Sequence, residues 1–159
     1  MVIIMLSREE SIKKIFSKHG KKSLYITSTG YISRAVFELF SENYIFYMQG
    51  SMGLAPSIGL GIALSCDKDV VVLSGDASLL MHLGITHTIR DYSLNNLFVY
   101  VLDNNCHESV GGYPCSALEE IYPGIDNIYK ITNDGKKPRI PLTWIEIKDT
   151  FKKGMGSER

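Results

Sequence analysis

Cysteine is scarce in this chain and poorly spaced. Cys66, Cys106 and Cys115 are odd in number and form no C-x-x-C pair, which speaks against a disulfide framework and a zinc site. An excess of charge is missing too. The 17 basic and 17 acidic residues cancel and are spread along the chain, leaving neither a basic stripe for nucleic acid nor an acidic tail. Long hydrophobic runs are lacking: residues 1–6 are apolar but far too few for a signal peptide or a membrane span. There are no repeats, linkers or low-complexity tracts. What is present is 159 residues, 45% of them hydrophobic, enough for one domain over 1–159 with a real core. The expectation is a soluble, cytoplasmic protein with no nucleic-acid or membrane partner.

Strand and helix signals alternate. Ser7-x-x-Glu10 is a capping box opening an amphipathic helix to about His19. Residues 24–27 read as a strand, Ser28, Thr29 and Gly30 as a turn, and 32–40 as a helix. A strand over 44–48 leads through Gly50-Ser51-Met52-Gly53 into residues 54–65. That run is small and apolar, and Gly59 and Gly61 suit a helix packed closely on a neighbour. After Gly112 the signal fades to a weak helix over 117–121, a strand over 128–131 and a turn at Asn133-Asp134-Gly135. Thr143-x-x-Glu146 caps a last helix to about Lys153. The pattern is α/β, a largely parallel sheet flanked by helices.

The most informative stretch is 70–112. Two short apolar runs, 70–73 and 97–102, end in Ser74-Gly75-Asp76 and Asp103-Asn104-Asn105, with an apolar helical stretch between them. Two buried parallel strands joined by a helical crossover explain this, because such strands read as continuous hydrophobic runs. Their polar ends then share the sheet edge where open α/β folds bind ligands. Gly75 permits a tight turn, and Ser78 can cap the next helix, whose amino end favours a phosphate. Asp76 beside a phosphate requires a divalent cation between them. An Asp oxygen, an Asn oxygen, a loop carbonyl and two phosphate oxygens supply most of an octahedron for Mg²⁺. A helix cap at Asp76 and a plain polar turn at Asp103-Asn104 account for the same residues without a ligand.

The spacing adds a further point. Residues 78–102, 25 in all, separate Gly75-Asp76-Ala77 from Asp103-Asn104. This resembles the thiamine diphosphate signature, Gly-Asp-Gly followed at a similar distance by Asn-Asn. Gly50-Ser51-Met52-Gly53-Leu54-Ala55, Ser78-Leu79-Leu80-Met81-His82-Leu83-Gly84 and His107-Glu108-Ser109-Val110-Gly111-Gly112 also look like the cofactor half of phosphonopyruvate and sulfopyruvate decarboxylases. So does Pro138-Arg139-Ile140-Pro141 before a charged helix. The resemblance covers most of residues 20–114.

The resemblance implies a thiamine diphosphate-binding fold and assigns roles. Asp76 and Asn104 would be the Mg²⁺ side-chain ligands and the carbonyl of Cys106 the backbone ligand. Asn105 is a rival that the distance from Asp76 disfavours. Ala77 stands where the family has its second glycine. Gly75, Ala77 and Ser78 would face the diphosphate, Gly50 and Ser51 the aminopyrimidine side. Met52 would be the wedge that bends the cofactor, although a Met in a glycine-rich turn also serves as core filler. His107 and Ser109 would meet a phosphonate or sulfonate, with Gly111 and Gly112 letting the loop move; a solvated loop is the plain alternative. His82 and His87 are five apart, about 140° around a helix, and cannot chelate one metal; packing or capping suits them better. Gly59-x-Gly61 lacks a third glycine and a directly preceding strand, which sets aside a dinucleotide fingerprint.

By the same resemblance the activity is decarboxylation of a small 2-oxo acid, phosphonopyruvate to phosphonoacetaldehyde and CO₂. Sulfopyruvate, used in coenzyme M synthesis, is the alternative substrate. The family also needs a glutamate from a pyrimidine-binding domain that has no counterpart here. A partner α subunit or domain, and hence a hetero-oligomer, is therefore expected. Only 23 residues separate Pro114 from Pro138, where the family carries a further strand and helix. The carboxyl region thus reads as shortened, with an opened sheet edge as one consequence and a noncatalytic binding or regulatory subunit as another.

Overall fold

The computed structural model describes residues 5–41, 44–118 and 122–156. A short strand β1 (Leu6–Ser7) runs into α1 (Arg8–His19). The capping box forms as the spacing predicts: Ser7 Oγ accepts the Glu10 N–H at 3.1 Å, and the Glu10 carboxylate accepts the Ser7 N–H at 2.8 Å. Then come β2 (Leu24–Thr27), α2 (Tyr31–Phe40), β3 (Ile45–Tyr47) and α3 (Ala55–Ala63). The next strand is β4 (Val70–Gly75). The crossover after it is two helices rather than one, α4 (Asp76–Met81) and α5 (Ile85–Tyr92), broken where His82 leaves helical geometry at φ −137°. β5 (Leu97–Asp103) follows, with a small hairpin of β6 (Cys106–His107) and β7 (Tyr113–Pro114) beyond it. The chain ends with β8 (Asn127–Thr132) and α6 (Trp144–Met155), the latter opened by the Thr143/Glu146 capping box.

Six strands form one parallel sheet in the order β1-β8-β5-β4-β2-β3. The central strands are unbroken apolar runs because each is covered on both faces. Their residues alternate between two cores, as the two-residue period of a strand demands. Tyr25, Val71, Leu73 and Tyr100 pack with Ile12, Phe16 and Val36 of α1 and α2. Ile26, Val70, Val72 and Val99 pack with Leu60 and Ala63 of α3 and Ile89 of α5.

Two expectations for the carboxyl region need correcting. The shortening does not leave β5 with an open edge. β8 pairs with it from Tyr100↔Asn127 to Asp103↔Lys130, and β1 pairs with β8 in turn. Residues 117 and 118 form no helix, while 119–121 lie outside the described residues. Leu118 is nevertheless buried, against Leu79 of α4 and Val101 of β5.

The two glycines of α3 differ in kind. A Cβ on Gly59 would collide with the Val72 side chain and lie 3.4 Å from Leu97 Cδ1, whereas Gly61 has nothing within 4 Å. Close packing therefore explains Gly59 but not Gly61. Gly59→Ala is expected to destabilise the chain by about 1–3 kcal/mol through overpacking. Gly61→Ala is expected to stabilise it by roughly 0.5–1 kcal/mol. Urea denaturation of both variants measures the contrast. No helix among the described residues is long and apolar enough to cross a membrane.

Candidate functional site

The strand order fixes where a ligand can enter. From β2 the chain moves outward to β3, then returns to the other side of β2 for β4 and continues to β5. Loops leaving the carboxyl ends of β2 and β4 therefore diverge, and a crevice opens at this switch point. The Ser28 N–H bonds the Leu73 carbonyl at 2.8 Å, carrying the β2–β4 pairing up to its lip. The crevice holds about 130 Å³. Gly75, Asp76, Ala77 and Ser78 line one side, with Met52 beside them. Asn104, Cys106, His107, Glu108 and Ser109 line another, and Ser28, Thr29, Tyr31 and Arg8 stand across from them among further apolar residues.

Asp76 is the first residue of α4 and only 3% exposed. Its carboxylate accepts the Cys115 thiol at 2.9 Å and has no ion-pair partner among the described residues. Burial, reinforced by nearby Asp103, pushes its carboxyl above the usual range. Asp103 is buried as well, but Lys130 ion-pairs with it. Burial and the adjacent Asp76 push the Cys115 thiol up to about 12, which keeps it a donor. A buried, uncompensated carboxylate in an oxygen-rich crevice fits a hard divalent cation. Ser78 does not cap this helix. The cap position is Gly75, without a side-chain hydrogen bond, and Ser78 is buried inside the first turn.

The Asn104/Asn105 ambiguity has a structural answer as to position. Asn104 lines the crevice, while Asn105 is exposed at φ +56° with its N–H on Asp103 Oδ1 at 2.9 Å, a turn residue. Asn104 Nδ2 donates to Asn133 Oδ1 at 2.7 Å and to Glu108 Oε2 at 3.2 Å, and its Oδ1 faces the Cys106 N–H at 3.4 Å.

Of the β3–α3 turn, Met52 reaches the crevice, whereas Gly50 and Ser51 are exposed and do not line it. They shape the turn instead, at φ +143° and +53°, and the Ser51 carbonyl accepts the Leu54 N–H at 3.1 Å. Gly53 is pressed onto α4, where a Cβ would lie 2.8 Å from the Ser78 carbonyl. The same close approach involves His82, which is exposed and takes the C-cap position of α4 through its backbone N–H on the Leu79 carbonyl, while His87 is exposed on α5.

His107 and Ser109 both line the crevice, on the loop that crosses toward α2. At Gly30 a Cβ would sit 2.9 Å from Ser109 Oγ, so this loop rests on the β2–α2 turn. Gly111 and Gly112 adopt φ +115° and +71°, conformations that favour glycine.

Sequence reasoning missed Arg8, Ser28, Thr29 and Tyr31 as lining residues, and gave Glu108 no role. Arg8 is 1% exposed and ion-pairs with Glu108, 100 positions away. One local signal was present. A cation at the first position of a helix opposes the macrodipole, so Arg8 needs a tertiary reason to be there.

Sulfopyruvate decarboxylase subunit beta of Methanocaldococcus jannaschii is 38% identical over 122 residues, 74% of this chain and 65% of that protein. Phosphonopyruvate decarboxylase of Streptomyces viridochromogenes is 37% identical over 106 residues, 67% of this chain and 27% of that protein. The chain thus spans less than two thirds of either relative. In fold it is similar to a chain from Mycobacterium smegmatis described as a thiamin diphosphate-dependent enzyme, with TM-score 0.63, 18% identity, and coverage of 73% of this chain and 24% of that one. Residues 28–132 match the family described as thiamine pyrophosphate enzyme, C-terminal TPP binding domain, and the chain belongs to that family.

Proposed function

We propose that this chain is the cofactor-binding subunit of a thiamine diphosphate- and Mg²⁺-dependent decarboxylase of small 2-oxo acids. The observation that carries the reading is Asp76: a buried carboxylate with no ion-pair partner among the described residues, at the switch point, in one crevice with Asn104 and Cys106. Asp76, Asn104 and the Cys106 carbonyl would hold the metal. Gly75, Ala77 and Ser78 would face the diphosphate, joined by the hydroxyls of Ser28 and Thr29, and Met52 would support the cofactor from below. The bound cofactor supplies an electron sink for loss of CO₂. The chain's own part is to bind, orient and exclude water, with the loop carrying His107 and Ser109 closing over substrate. Gly50 and Ser51 would act through the turn they form. A reducing cytoplasm suits the three free thiols.

The substrate is phosphonopyruvate or sulfopyruvate. His107-Glu108-Ser109-Val110-Gly111-Gly112 supports the first, and the greater reach of the similarity to the sulfopyruvate β subunit supports the second. That relative's name also supports a partner α subunit, the pyrimidine-binding half of a hetero-oligomer. Calorimetry of the chain, mixed with its complementary subunit, is expected to show thiamine diphosphate binding only with Mg²⁺. Carbon dioxide release from the two acids then ranks them. No magnesium-dependent binding by a folded complex would mean that the signature survives as architecture alone, the noncatalytic reading.

A further inference from the structure

The cofactor reading leaves Arg8 unused. This residue begins α1, is 1% exposed, and lines the crevice. Its Nη2 ion-pairs with Glu108, whose Oε2 also accepts from Asn104. Its Nη1 is buried with no hydrogen-bond partner among the described residues. A guanidinium does not lose its charge, and a buried donor left unpaired is costly. The fork of a guanidinium also matches the oxygens of a tetrahedral acid group better than any other side chain.

It stands at one remove from the metal end of the crevice, with Glu108 Oε2 between its Nη2 and Asn104 Nδ2. β1, which delivers Arg8, and β4, which delivers Asp76, are three strand spacings apart in the sheet, about 14 Å. At Arg8's end the Tyr31 ring carries a second guanidinium: Arg8 Cζ lies 5.7 Å and Arg34 Cζ 5.0 Å from its centroid. Arg34 lies outside the crevice lining, so the two ends offer oxygen ligands at one and the single guanidinium fork of Arg8 at the other.

We propose that Arg8 receives the second acid group, sulfonate or phosphonate, of the 2-oxo acid, with Glu108 holding the guanidinium in orientation through Nη2. The proposal rests on the cofactor reading above and adds the basis of substrate choice. A 2-oxo acid without a second acid group would leave Nη1 buried and unpaired, and so be rejected.

The test is a titration of the full chain, assembled with its complementary subunit, with sulfoacetate, phosphonoacetate and acetate, followed by NMR and calorimetry. Thiamine diphosphate binding with Mg²⁺ is measured separately on the same samples. The wild type is expected to bind one or both of the doubly acidic probes at least about tenfold more tightly than acetate, with the Arg8 guanidinium N–H signals shifting. Which of the two binds more tightly distinguishes sulfonate from phosphonate. Arg8→Gln is expected to lose the preference and Arg8→Lys to keep only part of it. Wild-type protein without the preference, or Arg8→Gln that retains it, overturns the proposal. So does a cofactor affinity that falls in Arg8→Gln by as much as the anion preference, which would put Arg8 on the diphosphate. Should Arg8→Gln not fold, Arg8→Lys and the wild-type signals decide. Intact anion preference without magnesium-dependent cofactor binding overturns the cofactor reading alone.

Discussion

Asparagine at position 76 is expected to abolish magnesium-dependent binding of thiamine diphosphate while making the chain by itself more stable at neutral pH. Both effects come from one carboxylate. Asp76 is buried with no ion-pair partner among the described residues, and its carboxylate accepts the Cys115 thiol. With Mg²⁺ bound, that charge is an asset, and losing a direct ligand should cost more than the roughly 10–100-fold typical of outer-shell partners. Without the metal it is a liability. Burial raises the Asp76 pKa, so between the unfolded and folded values the native state holds more protons than the unfolded state. Stability contributed at this site therefore falls as pH rises through that window, and the deficit is complete above the folded value. Asp76→Asn removes it. At about 1 kcal/mol, its thermal midpoint should rise roughly 2–4 °C at pH 7, and the gain should vanish in acid. Cofactor binding by the variant at wild-type strength would refute the role of Asp76.

How far the sequence revealed this arrangement depends on how local each determinant is. Ser7 and Thr143 each lie three residues from the glutamate that completes the box, and both helix starts were readable. β2, β4 and β5 were readable because burial on two faces leaves no polar interruption. The break at His82 was not. The apolar pattern continues through Leu83, and the close approach of Gly53 to the end of α4 comes from another loop. The same division holds in the crevice. Asp76 and Asn104 directly follow β4 and β5, which pair in parallel, so their shared edge is legible in the two apolar runs. Ser28 and Thr29 reach the same crevice because β2 pairs with β4 across the whole β3–α3 excursion. Arg8 reaches it because β8 intervenes between β5 and β1. Neither neighbourhood leaves a periodic trace in the chain.

Assayed alone, the purified chain is expected to release no carbon dioxide from either 2-oxo acid, and to gain activity when combined with a pyrimidine-binding subunit. The crevice argues for this on size. Its roughly 130 Å³ is well below the roughly 300–1,000 Å³ of pockets that enclose small ligands, so a second surface has to complete it. The rim is dressed for contact, with Val110 and Tyr113 standing 67% and 70% exposed beside the loop that carries His107. Acid–base chemistry argues for it as well. Among the described residues the one glutamate lining the crevice, Glu108, is committed to Arg8 and Asn104, which leaves it unfit as a proton relay to the cofactor. Missing general acid–base help alone costs about 10²–10⁴-fold, and an open, wet crevice costs more. Robust turnover by the single chain would refute the partner requirement. A folded complex that binds cofactor and magnesium yet turns over neither acid would instead assign this chain a noncatalytic role. Activity on co-assembly, lost again in Asp76→Asn, would tie the chemistry to this crevice.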